Sequence, residues 1–165
     1  MTLLLDDFTD GELVARRWSV FSDRVMGGVS DAHAAQEVVA GRMALRLSGR
    51  VSLERNGGFI QVARRFEGGR FDASAFGGVQ LAVCGVPGSY LVHLRTADTR
   101  APWQYYGAEL PVTPTWADVY LPWIAFEPKS LRTPLDPKTL ERIGIVAGGA
   151  AFDATVAISR IELVP

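Results

Sequence analysis

An all-β sandwich is the fold that this 165-residue sequence predicts. Three observations carry the prediction. Apolar residues recur mostly at every second position, the runs last about four to eight residues, and 17 glycines and 9 prolines fill the joints between them. Half-buried antiparallel strands have that period and that punctuation, because successive side chains point to opposite faces of a sheet.

In chain order, Leu3–Phe8 and Trp18–Phe21 are the first expected strands. Met43, Leu45 and Leu47 then alternate with Arg42, Ala44 and Arg46, and Val51–Glu54 and Phe59–Ala63 follow. Val79, Leu81 and Val83 alternate with Gln80, Ala82 and Cys84; Tyr90, Val92 and Leu94 oppose Leu91, His93 and Arg95. Trp103–Leu110 comes next, then Val119 and Leu121 opposite Asp118 and Tyr120, then Ile143–Ala147 and Phe152–Leu163. In that last segment the apolar phase slips between Ile158 and Ile161, the mark of a β-bulge. Helical signal is scarce. Asp136-Pro137-Lys138-Thr139-Leu140 reads as a short helix start with Asp136 as N-cap and Pro137 in the first position. A second short turn is expected at Asp72 through Phe76.

The length suits one domain, residues 1–165, with no internal repeat or linker. With 17 basic and 18 acidic residues the net charge is −1, so no basic surplus exists to displace counterions from a nucleic acid. The single cysteine, Cys84, rules out an intramolecular disulfide and reads as a small buried residue. Met1–Leu5 is too short for a signal peptide and runs straight into Asp6 and Asp7, and no apolar run approaches a membrane span. Fifteen arginines against two lysines, Lys129 and Lys138, with abundant Ala and Gly, suggest a GC-rich bacterial genome, so the bacterial cytoplasm is the expected compartment.

No catalytic motif appears. His33 and His93 lie far from other ligands at metal-binding spacing, Gly28-Val29-Ser30 continues into Asp31 rather than into a nucleophile elbow, and none of the Gly-Gly pairs forms a phosphate loop. Neither an enzyme, nor a cofactor, nor a bound metal is expected. Asp6 and Asp7 could offer oxygen ligands to calcium, but turn-forming carboxylates are the better reading. His93 reads as a hydrogen-bonded histidine on a sheet face, with contact to a ligand as the alternative.

After Trp18 comes the string Asp23-Arg24-Val25-Met26-Gly27-Gly28-Val29-Ser30. It resembles the signature of the complex I intermediate-associated protein family, whose domain is a jelly-roll β-sandwich of the galactose-binding-like type. Asn56-Gly57-Gly58-Phe59, Tyr90 through Thr96, Trp116 with Leu121-Pro122-Trp123 and Phe126, Ile143-Gly144-Ile145, and Phe152 through Ile161 are similar to later family segments in the same order. The resemblance implies a non-catalytic, chaperone-like assembly factor for respiratory complex I (NADH:ubiquinone oxidoreductase). Its partner would be a protein, among complex I subunits or assembly intermediates.

Within the string, Gly27 and Gly28 allow positive φ or close backbone approach, and Asp23 and Ser30 supply short acceptors that close a rigid loop. Two readings stand: a packed loop joining the first strands, or a recognition tip presenting Arg24 and Met26. Asn56-Gly57-Gly58 reads as a hairpin turn. Among the clustered aromatics, Trp116 and Trp123 are expected in the core. If Tyr105, Tyr120, His93 and Arg95 share one concave sheet face, they form with Trp103 an aromatic and polar groove for a peptide or a sugar. A carbohydrate-binding module is thus the alternative function.

Overall fold

The computed structural model describes residues 1–165 as two antiparallel six-stranded sheets packed face to face. The first sheet holds β1 (Leu3–Asp6), β3 (His33–Val39), β4 (Arg42–Val51), β6 (Gly78–Gly85), β9 (Ala117–Pro122) and β12 (Phe152–Val164). The second holds β2 (Trp18–Ser22), β5 (Phe59–Arg65), β7 (Tyr90–Thr96), β8 (Tyr105–Glu109), β10 (Glu127–Lys129) and β11 (Leu140–Gly148). One short helix, α1 (Gly11–Arg17), precedes β2. The strand order is β3-β4-β12-β6-β9 in the first sheet, with β1 beside β12, and β10-β8-β7-β11-β5-β2 in the second. This is the β-sandwich that the alternation predicts, and a jelly roll as the family resemblance implies.

Alternation decides which side of each strand enters the core. Val79, Leu81 and Val83 of β6, Val156 and Ile158 of β12, and Leu45 and Leu47 of β4 line the inner face of the first sheet. Val92 and Leu94 of β7, Ile143 and Ile145 of β11, and Ile60 and Val62 of β5 meet them from the second. The 13-residue β12 pairs with β4 over its first half and with β1 over its second, while β6 runs along its other side. The expected bulge is present: the β12–β6 register shifts between Ile158 and Arg160. That shift restores Ile161 and Leu163 to the core after the phase slip.

Several local expectations change. Asn56-Gly57 is not a hairpin turn, because β4 and β5 lie in different sheets and the segment between them crosses the sandwich. Arg55 and Asn56 both take positive φ there, at 54° and 58°. The tight hairpin is instead Ala40-Gly41 between β3 and β4, with φ of 45° and 81°, a pair suited to a twisted two-residue turn. Strand β3 and the three-residue β10 were not visible in the sequence, since neither alternates strongly. Helix α1 was also missed; Asp10 caps it by accepting from the Glu12 and Leu13 amides, and it buries only Val14. Asp136 does cap a single 3₁₀ turn at Pro137–Thr139, as the sequence predicts.

Trp116 and Trp123 are only partly buried, not core residues. Trp116 lies on the outside of the first sheet over Ala44, Cys84 and Ala157, with its indole N–H on the Val39 carbonyl at 3.1 Å. Trp123 follows Pro122 at the end of β9 and donates to the Phe76 carbonyl at 2.7 Å. In both cases the polar ring edge needs a partner at the rim, which keeps the indole out of the all-apolar interior. Trp18 is the buried one, its indole N–H bonded to Asp6 at 3.0 Å. Asp6 and Asp7 act as turn carboxylates, accepting from the amides of Phe8 and Thr9. No helix is long and apolar enough to cross a membrane.

Candidate functional site

The glycine-rich string after β2 is built around one buried carboxylate. Asp23 is fully buried, and its Oδ1 accepts from the Ser30 amide at 2.9 Å. Its Oδ2 accepts from the Ser30 hydroxyl, from the Gly58 amide at 2.6 Å and from the Phe59 amide at 3.3 Å. Ser30 in turn accepts from the Ser52 amide at 2.8 Å. A β-carbon on Gly28 would come within 2.5 Å of the Asp23 carboxyl carbon, and one on Gly57 within 2.5 Å of Oδ2. Gly28 and Gly57, far apart in sequence, are therefore glycine for the same reason: both must close on Asp23. Gly27 serves differently, ending the 3₁₀ turn Asp23–Met26 with φ of 87°. Burial pushes the Asp23 carboxyl up, but the Ser30 hydroxyl and the Gly58, Ser30 and Phe59 amides outweigh it and hold the group below its ordinary value.

Arg24 does not project freely. Its guanidinium bonds the Ser30 carbonyl at 2.9 Å and Asp31 at 3.0 Å, so it folds back over the loop it belongs to. The exposed tip is Val25 and Met26, 72% and 65% accessible.

That tip stands at the lip of a groove of about 1280 Å³ over the outer face of the second sheet. Strand register lays out its floor in rows. One row runs Phe21, Gln61, Val146, Leu91, Glu109 across β2, β5, β11, β7 and β8. The next runs Ala63, Gly144, His93, Gly107. The two glycines in this row make room for the side chains beside them. Tyr105 lies across Gly107 and stacks on His93, with ring centroids 3.8 Å apart and planes 16° from parallel. The Gln61 amide lies over Gly144, where an added β-carbon would meet its Nε2 at 2.1 Å. Gln61 is 5% accessible, yet its amide makes no hydrogen bond within the protein. The buried Nε2 of His93 also lacks a partner, so the hydrogen-bonded histidine expected from the sequence is not what the sheet contains. Burial, then the nearby Arg142, push the imidazole down to about 3, which keeps it neutral.

A third row is cationic: Arg65, Arg142 and Arg95 face one another across β5, β11 and β7. Arg95 is committed. Its guanidinium bonds the carbonyls of Thr99, Ala101, Pro102 and Gln104, pinning the loop that presents Trp103, itself 67% accessible. Arg142 lies over the Phe21 ring at 5.2 Å. Neither Arg65 nor Arg142 takes part in an ion pair.

Of the residues expected to form the groove, His93, Arg95, Trp103 and Tyr105 are brought together, and Met26 joins them at the lip. Tyr120 is not. It lies on the outward side of β9, in the opposite sheet, because Val119 and Leu121 take the inward positions. Arg65, Arg142, Gln61 and Phe21 were missed. Each carries the outward phase of its strand, a signal that means a groove only once neighbouring strands are known.

The fold and groove define a class: a jelly-roll β-sandwich of the galactose-binding-like type, as seen in carbohydrate-binding modules. The chain superposes on the family 11 carbohydrate-binding module from Clostridium thermocellum, in complex with a β-1,3-1,4-mixed-linked tetrasaccharide, with a TM-score of 0.75 and 12% identity, covering 99% of this chain and 95% of that one. The family 30 module of a Clostridium thermocellum cellulosomal cellulase gives 0.70 and 14%, covering 99% and 97%. An exo-β-agarase gives 0.64 and 14%, covering 99% of this chain but 25% of the agarase. At such identities the likeness is one of fold. No curated protein matches the chain. The chain belongs to the complex I intermediate-associated protein family: the family model described as Complex I intermediate-associated protein 30 (CIA30) matches residues 7–157.

Proposed function

We propose that this chain is a non-catalytic binding domain that seats an extended segment of a protein partner in the groove of the second sheet. Following its family, the partner is a respiratory complex I subunit or an assembly intermediate. The observation that carries this reading is the combination of a long groove with exposed anchors held on rigid supports. Val25 and Met26 stand on a loop locked by Asp23, and Trp103 on a loop locked by Arg95. Aromatic and thioether side chains that are exposed yet positioned by the fold are the usual anchors of protein recognition. The test is capture from extracts of the native host. Complex I components should co-purify with the wild-type chain and be lost with Trp103→Ala or Tyr105→Ala. Reproducible absence of any complex I component from the wild-type capture would reject the reading.

A second reading is a carbohydrate-binding module, favoured by the flat Tyr105 ring stacked on His93 and by the neighbouring module that holds a tetrasaccharide. It predicts quenching of tryptophan fluorescence on titration with a mixed-linkage glucan, lost in Tyr105→Ala. An unchanged spectrum removes it.

A further inference from the structure

The charge of the groove differs from that of the chain. Arg65, Arg95, Arg100 and Arg142 line it against a single acid, Glu109, while the chain as a whole carries −1. Three of those arginines lie in one register row on adjacent strands. Like charges directly opposite one another in a sheet are destabilising, and nothing in the core requires them here. The one acid whose charge acts appreciably on Arg95 is Glu141, and Arg70 holds it at 3.0 Å. Burial, then Arg95 and Arg65, lower the affinity of Arg142 for its proton, so the repulsion is unrelieved. A cationic row that weakens the free protein is relieved by a bound anion, and free guanidinium forks hold carboxylates with two hydrogen bonds.

The two ends of the groove differ in character. Arg65 closes β5 at one end; Phe59 opens it at the other, beside Gly58, Val25 and Met26. Six residue steps separate Phe59 from Arg65, about 20 Å at roughly 3.3 Å each. Between them the Gln61 amide, which bonds no other group of the protein, offers hydrogen bonds to a backbone lying in the groove. Aliphatic and thioether contacts at the lip suit apolar side chains, which a saccharide lacks.

We infer that the groove recognises an extended acidic peptide, with an apolar side chain seated against Val25 and Met26 and carboxylates at Arg65 and Arg142. This rests on the reading of the groove as a partner site and names the chemistry of the segment it takes. The test is calorimetric titration of the full chain with three peptides of equal length that share an apolar end and carry glutamate, glutamine or lysine at the other. The glutamate peptide should bind roughly tenfold or more tightly than the glutamine one, weaken as salt shortens the Debye length, and leave the lysine peptide without measurable binding. The double variant Arg65→Gln, Arg142→Gln should bring the glutamate and glutamine peptides to equal affinity. Its melting temperature should stay level or rise, which a structural role for these arginines would not allow. Equal binding of the glutamate and glutamine peptides to the wild type would overturn the acidic assignment. Binding of an oligogalacturonate with no peptide binding, or no binding by any probe, would overturn it as well. The two readings fail separately: a complex I component lost with Tyr105→Ala but retained by the double arginine variant leaves the groove as partner site and removes the acidic segment.

Discussion

Asp23 shows how much one side chain can organise. Four donors from two parts of the chain, Ser30 and Gly58–Phe59, converge on it, so replacing it by alanine leaves buried amides unpaired and should cost about 3 kcal/mol, read as a shift in the denaturant midpoint at pH 7. Because its folded value is depressed, its contribution is complete above its unfolded value near 3.8 and is lost as pH falls through the lower folded value. His93 acts in a different window. Its folded value, about 3, lies below its unfolded value of 6.5, so the unfolded chain takes up a proton first and stability declines as pH drops below 6.5. His93→Phe should flatten the melting-temperature profile between pH 6.5 and 4, and should leave the steeper loss below pH 3.8 in place. A variant profile that keeps the same slope in the upper window would show that the imidazole is not held neutral. Arg24 folds back onto Ser30 and Asp31 while its side chain stays exposed.

Among the elements, β11 makes the groove possible. It lies between β5 and β7, presents Ile143, Ile145 and Ala147 to the core, and presents Arg142, Gly144 and Val146 outward. Gly144 separates stability from binding. An alanine there meets chiefly the flexible end of Gln61, with the Ala63 β-carbon next at 3.3 Å, so the amide should swing into the groove while the strand stays paired. Gly144→Ala should therefore change the melting temperature little and weaken groove ligands several-fold, checked by calorimetry beside differential scanning. Gly28→Ala is the contrast: its added carbon meets the fixed Asp23 carboxylate, and the loss should appear in stability first. The strands that bear these residues were legible in the alternation of Tyr90–Thr96 and Ile143–Ala147. Weakly alternating β3 and the three-residue β10 were not, since an edge strand buries too little on one face to imprint a period.

For the molecule as a whole, the two sheets divide the work. Both line the core; the first also shields Cys84 beneath Trp116, and the second carries the groove on the face turned away from that core. Leu81, wholly buried on β6, therefore tests whether stability and recognition are independent. Leu81→Ala should cost about 3 kcal/mol, a drop of roughly 10 °C in melting temperature for a chain of this size, with unchanged affinity in the groove at temperatures where the variant is folded. Loss of affinity in step with stability would mean that the outer face of the second sheet depends on the packing beneath it.

The sequence by itself determined the layered antiparallel architecture, the bulge in β12, the short Asp136 turn and the family, because each is written in neighbouring residues: a period of two, a phase slip, a cap beside a proline, a glycine-rich string. It also set His93 and Arg95 on one face of their strand, opposite Tyr90, Val92 and Leu94. What only the tertiary structure decided is which outward faces adjoin. Tyr120 and Tyr105 have the same local pattern yet lie on opposite sheets, and Arg65, Arg142 and Arg95 meet only because β5, β11 and β7 are neighbours in space. Period reports which way a side chain points; strand order and register, set by contacts between residues far apart in the chain, decide what it points beside.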